Sequence, residues 1–157
     1  LEEVLRVLWK LMAGAILSLS MAAGTAHALT LQQIGTGFEQ PIYVTSDPGN
    51  AERLFVVERE GTVELVQNGE VKPFADIRSV VCCKNGEEFE GERGLLSIAL
   101  SPDFDTSGRF FLYYTGRNEP GEIHVAEMTA SGNSAPFSSL RDVIPPIPHS
   151  QHSNHDG

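Results

Sequence analysis

The chain has 157 residues, 41% of them hydrophobic and 20% charged, with a formal net charge of −10. That profile fits a folded chain with one modest core and excludes a disordered polymer. The acidic balance, with no cluster of Lys and Arg, argues against nucleic acid or an anionic membrane as the main partner. In chain order, Arg6 and Lys10 come first, around the start of an apolar run of thirteen small and aliphatic residues, 11–23. Ala26-His27-Ala28 then supplies the small-x-small pattern that a signal peptidase reads. Residues 1–28 are therefore expected to be a signal peptide and residues 29–157 the mature portion. The run falls short of the roughly 20 residues a helix needs to cross a bilayer, so no membrane span is expected in the mature form. An uncleaved anchor is the other reading, because Leu1 is not a methionine and Glu2 and Glu3 interrupt a basic start. A cleaved leader implies export, hence a periplasmic or secreted protein in an oxidising compartment.

Beyond Leu29 the sequence is a string of short β-type runs: residues 41–45, 53–58, 62–66, 95–100, 110–114 and 123–127, all rich in β-branched and aromatic side chains. Between them stand Asp47-Pro48-Gly49-Asn50, Glu60-Gly61, Asn68-Gly69, Ser107-Gly108 and Glu119-Pro120-Gly121. These are turn formers, because Gly and Asn tolerate positive φ and Pro presets φ. No mature segment has a helical period, so the class is all-β.

The pattern occurs twice. Ser46-Asp47-Pro48, the run from Arg53 and the run from Gly61 recur as Ser101-Pro102-Asp103, the run from Arg109 and the run from Gly121, at offsets of 55, 56 and 60 residues. Successive blades of a β-propeller repeat in this way, although two hairpins of a sandwich would also give it. Propellers close with about four to eight blades, and two would leave sheet edges and apolar faces without partners. The chain is expected to be a piece of a longer protein.

Two segments stand outside the strands. Residues 79–94 hold the only cysteines, Cys82 and Cys83, and the acids Glu87, Glu88, Glu90 and Glu92. Adjacent cysteines bridge only through a strained ring, since neighbouring Cα atoms lie ~3.8 Å apart and disulfides prefer ~4.4–6.8 Å. A vicinal disulfide, two thiols and partners elsewhere all remain open. The carboxylates lack the alternating spacing and central Gly of a calcium loop, so a solvated acidic loop is the plainer reading. The stretch His149-Ser150-Gln151-His152-Ser153-Asn154-His155 gathers three of the five histidines. A bland loop, a catalytic base, and a zinc or copper site with Asp156 are the three readings.

Three segments, in order, resemble the glucose/sorbosone dehydrogenase family. Gly37-Phe38-Glu39-Gln40-Pro41 with the run from Leu54 to Gly61 is similar to its first blade. Gly91-Glu92-Arg93-Gly94-Leu95-Leu96-Ser97-Ile98-Ala99-Leu100-Ser101-Pro102-Asp103-Phe104 is similar to its most specific signature. Ser153-Asn154-His155-Asp156-Gly157 matches the start of an Asn-His-x-Gly-Gly motif. The sequence departs from the family at Ser97, Leu100, Ser101 and Asp156, none of which removes a proposed catalytic group.

The resemblance implies a six-bladed propeller of antiparallel four-stranded blades, of which this chain holds about the first two. It also implies pyrroloquinoline quinone (PQQ) and calcium as cofactors, an aldose sugar as substrate and an external electron acceptor. His155 matches the general base that takes the proton of the anomeric hydroxyl while hydride passes to the quinone. Glu92 matches a Gln or Glu beside the cofactor, and Asn154 a neighbour of the base that orients the imidazole or contacts the quinone. The family's basic residues for the quinone carboxylates, and its calcium ligands, lie in later blades, so this chain by itself is expected to be inactive. The competing reading is a non-catalytic propeller module for carbohydrate or protein, like that of hedgehog-interacting proteins.

Overall fold

The computed structural model describes residues 29–82, 91–117 and 121–148. The expected leader, Cys83, Glu87, Glu88, Glu90 and the whole segment with His149, His152, Asn154, His155 and Asp156 lie outside them. The chain divides into Leu1–Gln32 and a compact unit, Gln33–Gly157, which carries the strands.

Eight strands form two four-stranded antiparallel sheets, each in simple sequence order. The first sheet is β1 (Pro41–Asp47), β2 (Asn50–Glu58), β3 (Thr62–Gln67) and β4 (Glu70–Asp76). The second is β5 (Leu95–Leu100), β6 (Arg109–Thr115), β7 (Ile123–Thr129) and β8 (Arg141–Asp142), with a one-turn helix α1 (Phe104–Ser107) between β5 and β6. The all-β class and the two repeats are as the sequence predicts, each repeat being one sheet. Among the described residues no helix is long and apolar enough to cross a membrane.

Alternation builds the seam between the sheets. On β6, Phe110, Leu112 and Tyr114 are buried while Phe111 and Tyr113 are half-covered, the period of two that a strand with one packed face requires. From the first sheet Phe55, Val57, Val63 and Leu65 meet them in a single core cluster. Four rings close its middle: Phe55 lies 4.7 Å from Phe74 and 5.5 Å from Phe104, and Phe74 lies 5.2 Å from Phe110, mostly edge-on. Full burial of a Phe such as Phe55 or Phe110 is worth about 2–3 kcal/mol. The leading strands β1 and β5 are neighbours, as the innermost strands of adjacent blades should be. Asn68 (φ 54°) and Gly69 (φ 77°) make the tight link from β3 to β4, since a two-residue turn of this hand needs positive φ at both positions.

Candidate functional site

The signature segment of residues 91–104 starts where the first sheet hands over to the second. Its strand β5 begins at Leu95, whose N–H donates to the Arg59 carbonyl at 2.9 Å, just past the end of β2. The Gly94 N–H donates to the Thr115 hydroxyl at 2.8 Å, and the Thr115 N–H returns to the Gly94 carbonyl at 3.0 Å. Thr115 is fully buried. Gly94 has φ +136°, and a Cβ there would stand 2.6 Å from the Arg59 carbonyl oxygen, so only glycine fits.

Just before this junction stands Glu92, the sequence's candidate cofactor contact. It is exposed, with Arg93, Gly94 and Leu95 buried behind it. Both flanking carbonyls are gripped by one side chain. Arg59 donates from Nε to the Arg93 carbonyl at 2.7 Å and from Nη2 to the Gly91 carbonyl. The Arg93 guanidinium packs toward Gly121 ahead of β7, where a Cβ would come within 3.3 Å of it. Glu92 is thus an exposed carboxylate on a fixed stretch of backbone. Arg59 lies in the first-blade motif, but the sequence does not show what it holds, because the carbonyls it grips lie more than thirty residues on.

The same end of the first sheet is acidic. A cleft of about 330 Å³ is lined by Glu39, Glu58, Glu60, Glu64, Asp76 and Arg78, among others. The buried Glu58 carboxylate accepts the Glu39 N–H at 2.6 Å and the Thr62 hydroxyl. Burial, then the charges of Glu58 and Asp76, push the Glu64 carboxyl above its usual range, with Arg78 opposing. Among the described residues no group of three or more His, Cys, Asp or Glu side chains is arranged to hold a metal ion.

A second cleft, of about 370 Å³, opens along the seam between Ser79 and Val80 on one side and Tyr114, His124 and Asp142 on the other. His124 stacks on Tyr114 at 4.8 Å and 4°, and its Nδ1 meets Asp142 at 3.0 Å. Burial and the nearby Asp142 push the Tyr114 hydroxyl up to about 12. Cys82 is disulfide-bonded, and Cys83 is the only other cysteine in the chain. The Cys82 N–H donates to the Thr115 carbonyl at 2.9 Å, so this residue too spans the two sheets.

A family model for glucose/sorbosone dehydrogenases matches residues 38–157, through the signature segment and on to the last residue. The chain belongs to this family. Two solved structures share its fold. One is a Thermus thermophilus protein provisionally assigned as an oxidoreductase (glucose dehydrogenase), with TM-score 0.61 and 23% identity over 78% of this chain and 33% of that one. The other is the PQQ-bound aldose sugar dehydrogenase of Streptomyces coelicolor, with TM-score 0.54 and 24% identity over 74% of this chain and 31% of that one. Among curated relatives, the Hedgehog-interacting protein of Mus musculus is 33% identical over 96 residues, 59% of this chain and 13% of that protein. The chain thus spans about a third of these structures and 13% of that relative. The sheets described above are two blades of the family's propeller.

Proposed function

We propose that this chain supplies the first two blades of an exported quinoprotein that oxidises the anomeric hydroxyl of aldose sugars. The observation that carries the reading is the signature segment. Family membership runs through it, and the structure builds it as a rigid edge with Glu92 exposed. Support for an aldose substrate and for PQQ comes from the fold shared with the Streptomyces enzyme.

PQQ carries three carboxylates, which call for cations and N–H donors. Beside Glu92, the guanidinium of Arg59 is turned to backbone carbonyls and that of Arg93 is buried, while the neighbouring cleft is acidic. The described residues therefore fit one edge of a quinone site and do not fit its carboxylates. In this reading Glu92 borders the cofactor, and the basic residues and calcium ligands belong to later blades. The quinone, when bound, supplies the hydride acceptor. His155 takes the proton of the sugar hydroxyl, a role that suits an imidazole because it can accept a proton without a metal. Asn154, beside it, orients that imidazole or contacts the quinone.

The test is to express the longer protein without residues 1–28 and follow aldose-dependent dye reduction with and without added quinone and calcium. Turnover should require the quinone and fall at least ~100-fold in His155→Ala. A folded protein that neither binds quinone nor turns over sugar would point to the second reading, a non-catalytic propeller module for carbohydrate or protein. That reading is favoured by the 33% and 34% identity to the mouse and human Hedgehog-interacting proteins.

A further inference from the structure

We infer that Arg59 is a positioning residue for the cofactor edge: from the first blade, it fixes where the Glu92 carboxylate stands on the second. The inference rests on the reading of Glu92 as a cofactor contact.

The geometry is that of a clamp. One guanidinium donates to the carbonyls of Gly91 and Arg93, the two residues that flank Glu92. Holding both neighbours restricts the backbone of the residue between them, and with it the direction in which its side chain leaves the chain. The main chain of Arg59 adds a third hold, since its carbonyl accepts the Leu95 N–H at 2.9 Å. It also comes so close to Gly94 that a side chain there is excluded. Joining the end of β2 to the start of β5 would need only the bond to Leu95. The two side-chain bonds lie beyond the strand and act on the segment that carries Glu92.

An exposed carboxylate on loose backbone would lose conformational freedom when it meets a ligand, and that loss subtracts from affinity. A pre-set one does not. The planar guanidinium can span two carbonyls at once, whereas a lysine ammonium offers a single point of donation. The first blade thereby acts on the ligand through Glu92.

The experiment measures equilibrium binding of PQQ by calorimetry, without sugar, to the longer protein carrying Arg59→Met, Arg59→Lys, Glu92→Ala and the Arg59→Met/Glu92→Ala pair. Arg59→Met should weaken binding about tenfold, the size of coupling expected for residues in one hydrogen-bonded network. Arg59→Lys should fall between it and the unsubstituted protein. In the Glu92→Ala background, Arg59→Met should add nothing. An equal loss in both backgrounds would show that Arg59 acts other than through Glu92 and would overturn the inference. Unchanged binding in Glu92→Ala would overturn it too, by removing the role of Glu92, yet would leave the quinoprotein reading standing. Absence of any PQQ binding in the unsubstituted protein would remove both. If Arg59→Met does not fold, Arg59→Lys carries the same comparison.

Discussion

Glu64 sits in a cluster that pays for its own charge. Its carboxyl is raised above 4.5 by burial first and by Glu58 and Asp76 next, against the opposing pull of Arg78. The folded state therefore binds that proton more tightly than the unfolded chain does. Stability from this group is full below the unfolded value and is lost as pH rises through the raised folded value. Glu64→Gln should accordingly raise the melting temperature by about 1–3 °C at pH 7, and the gain should vanish near pH 4. A thermal melt at the two pH values checks it, and a loss at pH 7 would contradict the cause assigned here. At this scale the sequence is legible only in places. Glu92 is visible beforehand because it belongs to a motif, and the structure leaves it exposed on held backbone. His155 and Asn154 fall outside the described residues. What Arg59 holds, and that Tyr114, His124 and Asp142 meet, is invisible in advance, because partners as far apart in sequence as Arg59 and Arg93 meet only once the register of two sheets is known.

Strands show why some elements are legible and others are not. Six of the eight carry runs of β-branched or aromatic residues, whereas β4 reads Glu-Val-Lys-Pro-Phe-Ala-Asp and β8 has two residues. Both are the outermost strands of their sheets. Pro73, which cannot donate to a ladder, is tolerated there opposite a register shift between Val63 and Glu64. An edge strand is specified by the neighbour that recruits it more than by its own composition. The element that ties the sheets at the opposite end from Arg59 is also a side chain. Arg53, on β2, pairs with the buried Asp47 at 2.9 Å and donates to the Gly132 carbonyl at 2.9 Å and to Asn133 at 3.1 Å. Its guanidinium lies over Phe55 and Phe104 at 5.3 and 5.5 Å. Arg53→Met would strand the Asp47 carboxylate in the interior, so it should cost about 2–4 kcal/mol in urea unfolding. Asp47→Asn should cost less, because Arg53 keeps its bonds to the second sheet. The reverse order would deny Arg53 its role as a strap.

As a whole, the two sheets meet at a buried seam, and part of the first sheet's surface stays apolar and exposed. On the first sheet Ile42 and Val44 are 43% and 52% exposed and line an apolar cleft of about 500 Å³ with Ile34, Phe38 and Val56. Exposed apolar area on this scale invites association. Residues 29–157 expressed alone should bind a hydrophobic dye, and Val44→Lys should lower that signal at least ~2-fold with little change in melting temperature, since a surface substitution is usually near neutral. Equal dye binding by both would place the apolar surface elsewhere. The repeat offsets made this architecture readable, because strand-turn-strand periodicity survives in composition; which faces remain open does not, because a strand's alternation is the same whether its second face meets another blade or water. The ring cluster at the seam has one further side, which is temporal. Phe55 and Phe74 belong to the first sheet, and the rings that cover them, Phe104 and Phe110, follow Phe74 by about thirty residues or more. At a synthesis rate of ~5–20 residues per second the earlier pair emerges from the ribosome some seconds before its cover. Slower synthesis of the stretch between the two pairs lengthens that wait, so the pace of translation sets how long Phe55 and Phe74 stand uncovered.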